Sequence, residues 1–134
     1  MTAGRATQAD DALSAAIERR RDELVALTQD LIRMPTLNPP GDNYLEICEY
    51  LQRRLQRHGF EVELIRAVGA PGDSGAFPRW NVIGRREGRQ AGPCVHFNSH
   101  IDVVATGSGW TVDPFAGTVH DGKVYGRGAC DMKG

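Results

Sequence analysis

Val95-His96-Phe97-Asn98-Ser99-His100-Ile101-Asp102-Val103-Val104 runs largely in alternation between apolar and polar residues. Successive side chains of a strand point to opposite faces. Val95, Phe97, Ile101 and Val103 therefore share an apolar face suited to packing under helices, and His96, Asn98, His100 and Asp102 share the other. A polar row on a buried strand is costly unless something satisfies it. In open α/β sheets, the carboxyl end of a strand is also where sites are built. The pattern predicts a strand over 94–104 with chemistry at its end.

The neighbouring segments supply the layers for such a strand. Residues 1–9 are expected to be a flexible leader, and Asp10 or Asp11 can cap a helix running to about Arg33. Its apolar positions Leu13, Ile17, Leu24, Leu27 and Leu31 form one stripe. Met34-Pro35 ends it, because the residue before proline is pushed out of the α region. After a loop over 35–41, Asp42 or Asn43 can cap a second helix with Tyr44, Ile47, Cys48, Leu51 and Leu55 on one face, stopped at Gly59. Phe60, Val62 and Leu64 alternate as a strand, a Gly/Pro-rich connection fills 67–78, and Trp80 to Arg85 form a second strand. Asp121-Gly122 between Thr118-Val119-His120 and Lys123-Val124-Tyr125 is a two-residue hairpin signal. This order predicts an α/β layer architecture, with helices packed on a mixed, largely parallel sheet.

Composition excludes several functions. Sixteen Lys and Arg against 17 Asp and Glu give a net charge of -1, without the basic stripe that nucleic acid or an anionic membrane surface requires. The run Arg19-Arg20-Arg21 sits beside Glu18, Asp22 and Glu23 and reads as a solvated, salt-bridged helix face. No apolar stretch approaches a membrane span, and the first dozen residues lack a secretory apolar region. Cys48, Cys94 and Cys130 are odd in number and show no C-x-x-C spacing, so a reducing cytoplasm is expected rather than a disulfide framework. The chain stops directly after its most chemically loaded segment, which leads us to expect a fragment of a longer protein.

Two motifs carry chemistry. A metal-bound imidazole usually donates its other ring N–H to a carboxylate, and His100-x-Asp102 places both groups on one strand face. The same pair could equally be a satisfied polar pair at a strand end. Tyr125-Gly126-Arg127-Gly128-Ala129-Cys130-Asp131-Met132-Lys133-Gly134 then leaves the hairpin through two glycines and delivers a carboxylate that can bridge two cations. Its alternative is a Gly-rich hairpin exit with Asp131 capping a following helix. It is not a dinucleotide fingerprint, since Asp131 stands where the third glycine of G-x-G-x-x-G belongs. Cys48 reads as core, and His58 as a partner for the negative end of its helix.

Asn98-Ser99-His100-Ile101-Asp102-Val103-Val104, Trp110-Thr111-Val112-Asp113-Pro114-Phe115 and Asp121 through Gly134, in this order and spacing, resemble the zinc metallopeptidase and deacylase family of acetylornithine deacetylase, succinyl-diaminopimelate desuccinylase, aminoacylase and glutamate carboxypeptidase. Met34-Pro35-Thr36-Leu37-Asn38-Pro39-Pro40-Gly41 resembles that family's loop after the first helix. The resemblance runs from about residue 20 to the end and is weakest through 60–80. It implies that residues 10–134 are the N-terminal portion of an α/β/α catalytic domain. It further implies His100 as a ligand of one zinc, Asp131 as the carboxylate bridging two Zn2+ (with Co2+ as a substitute), and Asp102 as the orienting catalytic acid. A cis peptide at Asp131-Met132 is implied as well. Cys130 takes the place of a small spacer, with a third ligand or a nucleophile as the alternative. His96 lies deeper in the strand and His120 in the hairpin, so neither replaces the missing ligands. The general base and remaining ligands are expected beyond Gly134, as is a domain for homodimerisation. The implied substrate is a small N-acyl amino acid or peptide, with neither nucleic acid nor membrane as partner. The competing reading is an inactive fragment or a non-catalytic binding module with an incomplete metal site.

Overall fold

The computed structural model describes residues 3–134, where the apolar stripe of the first helix is divided between α1 (Ala3–Glu18) and α2 (Arg21–Arg33). The expected single helix from Asp10 or Asp11 is thus broken at Arg19-Arg20, and α1 reaches back to Ala3, inside the expected leader. Arg20 leaves the helical region at φ -109 and ψ 10. Leu13 and Ile17 are 61% and 52% exposed, so neither anchors α1 in line with α2. The Arg21–Glu18 pair across the break, at 2.8 Å, is exposed and adds little. Met34 takes an extended conformation before Pro35, as the proline dictates.

α3 (Tyr44–Arg57) follows the loop. Asn43 occupies its N-cap position at φ 56, but makes no side-chain cap; its amide donates instead to the Pro35 carbonyl at 2.8 Å. The C-terminus closes as expected on Gly59 at φ 78. The Gly59 N–H donates to the Gln56 carbonyl and the Phe60 N–H to that of Leu55, the paired bonds of a Schellman stop. β1 (Glu61–Arg66) and β2 (Trp80–Arg85) pair antiparallel from Glu61↔Arg85 to Arg66↔Trp80. Leu31, Met34, Ile47 and Cys48 form the core, with Leu27, Leu51, Leu64, Trp80, Val82 and Ile101 packed against it. Helix α3 therefore packs on one face of the β1–β2 ladder, and Leu27 and Leu31 of α2 join the same core. Each fully buried aliphatic side chain there contributes about 1.5–3 kcal/mol.

β3 (Thr118–His120) and β4 (Lys123–Tyr125) form a second antiparallel ladder. Asp121 and Gly122, at φ 49 and 70, supply the two positive dihedrals that a tight hairpin needs.

The chain is mixed α/β, but both ladders among the described residues are antiparallel, and parallel pairing is confined to the bridge Leu37↔Val103. The strand expected over 94–104 forms no ladder. Alternation fixes which residues would share a face, whereas a strand needs hydrogen-bond partners, and Val95 and Phe97 are 73% and 87% exposed. Only the end of this segment is fixed. The Val103 N–H donates to the Thr36 carbonyl and the Asn38 N–H to that of Val103, both at 2.9 Å. No helix among the described residues is long and apolar enough to cross a membrane.

Candidate functional site

The loop after α2 runs beside residues 101–103 and determines where Asp102 sits. Thr36 is fully buried, and its hydroxyl donates to the Ile101 carbonyl at 2.5 Å. With the two backbone bonds at Val103, this makes a three-bond seam around Asp102. The Asn38 amide donates to Asp102 Oδ2 at 2.7 Å. Burial opposes ionisation of Asp102, but the Asn38 hydrogen bond leads the influences that hold its carboxyl below the usual value.

His100 lies one residue beyond the seam and is half exposed. Its Nδ1 faces the Asp102 carbonyl at 3.0 Å and Asp102 Oδ1 at 3.2 Å, while Nε2 faces Asp131 Oδ1 at 2.8 Å. The hydrogen bond to Asp131 raises the imidazole pKa most, burial lowers it, and Asp102 adds to the rise. The three residues singled out by the sequence are therefore brought together around one imidazole.

Asp131 arrives from the other side on the exit of the β3–β4 hairpin. α2 is the platform for that segment. Gln29 donates to the Gly117 carbonyl at 2.7 Å, and Arg33 to that of Ala116 at 3.2 Å. A Cβ on Gly126 would meet Ile32, and one on Gly128, at φ +87, would come within 2.7 Å of the Val103 side chain. These two glycines let the exit press against α2 and the seam. The Asp131-Met132 peptide is cis, as the resemblance implies.

Lys133 completes the arrangement and escaped the sequence reading. It is 7% exposed, and its Nζ donates to the Leu31 and Met34 carbonyls at 2.9 and 2.7 Å. Those carbonyls end α2, where Leu31 also accepts from the Met34 N–H at 3.3 Å. Burial pushes its ammonium down to about 8, against the opposing charge of Asp102. No local pattern could have revealed this bond, because the partners lie 102 and 99 residues away.

The remaining candidates stay apart from this cluster. His120 pairs with Asp121 in the exposed hairpin at 3.3 Å, and His96 is exposed. His58 caps the end of α3 and approaches Glu23 at 4.0 Å. Cys48 is buried, and Cys94 and Cys130 are free and exposed. An open cleft of about 410 Å³ lies beside the cluster, bordered by His100, Asp102, Trp110, Arg127 and Asp131.

An imidazole nitrogen and a carboxylate oxygen converging at 2.8 Å, with a second carboxylate behind the ring, are donors of the type zinc takes. They amount to part of a set. Among the described residues no group of three or more His, Cys, Asp or Glu side chains could hold a metal ion.

Residues 96–134 match the profile described as Peptidase family M20/M25/M40. Over 115 residues the chain is 44% identical to a succinyl-diaminopimelate desuccinylase of Methylobacterium radiotolerans, covering 84% of this chain and 27% of that protein. It is 39% identical over 123 residues to succinyl-diaminopimelate desuccinylase 2 of a Ruegeria species, covering 90% and 28%. A succinyl-diaminopimelate desuccinylase of Cupriavidus taiwanensis is 41% identical over 111 residues, covering 81% and 27%. The chain thus spans about a quarter of the length of these curated relatives.

Proposed function

We propose that the chain, whose residues 96–134 match peptidase family M20/M25/M40, carries part of the active site of a metal-dependent amidohydrolase. Residues 10–134 would be the N-terminal portion of the catalytic domain. The substrate is a small N-acyl amino acid or peptide, and the relatives' names favour a succinylated diamino acid within that class. The observation that carries this reading is the His100 ring, set between Asp102 and Asp131. His100 Nε2 and Asp131 are the metal ligands, and Asp102 holds the ring through Nδ1. When bound, two Zn2+, or Co2+ in their place, polarise the scissile carbonyl and acidify a water. The cleft beside Trp110 and Arg127 receives the substrate. The alternation over 94–104 and the parallel bridge Leu37↔Val103 support its being a strand of a mixed, largely parallel sheet in the whole protein. The three free cysteines accord with a cytoplasmic protein, and homodimerisation would use a domain outside these residues.

Zinc titration followed by histidine and carboxylate NMR tests the ligand assignment. Zinc should bind weakly and shift the His100 and Asp131 signals, and His100→Ala should abolish that shift. Asp102→Ala should weaken binding roughly 10–100-fold by freeing the ring. Zinc that leaves both signals unmoved defeats the assignment. In a protein of the relatives' length, His100→Ala should abolish amide hydrolysis.

A second reading is favoured by one observation. No third ligand converges among the described residues, and the Asp131 side chain is 88% exposed. On that basis the 134-residue chain alone does not hydrolyse amides and acts at most as a binding module. Turnover by the chain alone would overturn this.

A further inference from the structure

Behind Asp102 lies a half-buried arginine that the proposed chemistry does not use. The Arg79 guanidinium rests 5.0 Å from the centre of the Tyr44 ring. Gly41 and Gly72, at φ +115 and +80, make room for it, because a Cβ on either would run into the guanidinium. Its Nη2 donates to Asn38 Oδ1 at 3.2 Å, while Nε and Nη1 are buried without a hydrogen-bond partner among the described residues. Burying such a group is costly. A pocket shaped around it from the loop after α2, from α3 and from the 67–79 connection calls for a role.

The direction of the hydrogen bonds supplies one. A guanidinium can only donate, so Asn38 must turn its carbonyl oxygen toward Arg79. Its NH2 end must then face the other way, onto Asp102 Oδ2 at 2.7 Å. Asp102 Oδ1 then lies 3.2 Å from His100 Nδ1, beside the Asp102 carbonyl that meets the same nitrogen at 3.0 Å. The neutral His100 ring has a single N–H, for which the carbonyl and carboxylate of Asp102 at Nδ1 compete with the carboxylate of Asp131 at Nε2. Only the Nδ1–H form leaves Nε2 open to a metal. Asp102 is anchored by the seam and by Asn38, whereas Asp131 is largely exposed.

We propose that Asn38 and Arg79 are positioning residues that select the Nδ1–H form of His100. Arg79 orients the Asn38 amide, Asn38 holds Asp102, and Asp102, through its carbonyl and its carboxylate, keeps the ring proton on Nδ1. This rests on the ligand role assigned to His100, but it concerns the metal-free chain and is measurable there.

The test uses the 134-residue chain labelled with 15N-histidine. Two-bond correlations, recorded above the imidazole titration, report which ring nitrogen bears the proton. The unchanged chain should show His100 mainly as Nδ1–H. Arg79→Met frees the amide to flip, and Asn38→Asp keeps its shape but cannot donate to Asp102. Both should raise the Nε2–H share to about half, and Arg79→Lys, which retains a donor, should restore the original form. Asn38→Asp can still pair with Arg79, so it remains decisive should Arg79→Met fail to fold. An unaltered tautomer in folded Asn38→Asp overturns the proposal. Zinc is then added to each variant. Affinity should fall roughly 10-fold wherever the tautomer shifts. Zinc that fails to reach His100 even in the unchanged chain sinks the ligand role, while the tautomer comparison still decides whether Asn38 and Arg79 act as assigned.

Discussion

Residues 61–66 and 95–104 both alternate, yet they meet different fates. The first becomes β1, laddered to β2 along its full length and roofed by α3. The second stays unladdered until Val103, where the loop after α2 joins it through the Leu37 bridge. A period of two decides which side chains share a face; neighbouring backbone decides whether a strand exists. β1 finds its partner within about twenty residues along the chain, whereas the polar row of 96–100 has none beside it among the described residues.

The strongest way to break this contrast is by core deletion. Ile47→Ala, at a side chain 1% exposed, should cost about 2–5 kcal/mol in urea unfolding. Phe97→Ala, at one 87% exposed, should fall within about 0.5 kcal/mol. Equal losses would mean that 94–100 is packed after all.

A finer probe acts on the seam that joins the two regions. Thr36→Val retains shape and leaves the Ile101 carbonyl without its buried donor. A loss of about 1–3 kcal/mol is expected, with faster hydrogen exchange at the Val103 amide. Unchanged exchange there would show that the hydroxyl does not hold the seam.

The smallest effect is set by pH in the connection feeding Arg79 into place. Asp73 accepts from the Arg79 backbone N–H first and that of Gly69 second, burial opposes, and Arg66 adds its charge; the net result holds its carboxyl below the ordinary value. Its folded pKa is depressed, so its contribution is complete above the unfolded carboxylate value near 3.9 and is lost as pH falls through the folded one. Asp73→Asn should flatten that acid limb of the urea midpoint. An acid limb identical in the variant would remove Asp73 from the account.

Much of this was legible in the sequence. The α2 and α3 faces, the Gly59 stop and the Asp121-Gly122 turn follow from local rules, because their bonds close within a few residues, and the alternation of β1 and β2 marks two strands whose partners lie a short connection apart. The convergence of His100, Asp102 and Asp131 on one imidazole was expected from spacing and resemblance. The break at Arg19-Arg20 was not, because the stripe of Leu13 to Leu31 is helical on both sides of it and exposure alone decides its continuity. Nor were Arg79, Asn38 and Lys133, whose bonds span 41, 64 and 102 residues and leave no periodic trace.

The seam also sets an order of assembly. Thr36 and Ile101 lie 65 residues apart, and closing a loop of that length costs roughly 3–4 kcal/mol in chain entropy. Helices α2 and α3 with the β1–β2 hairpin need far shorter closures, so they form the template and the seam closes onto it afterwards. The Lys133 bonds to the end of α2, beside Asp131, span 102 and 99 residues and need a longer closure still. A half-folded chain therefore keeps its imidazole and its carboxylate on separate, uncoupled stretches.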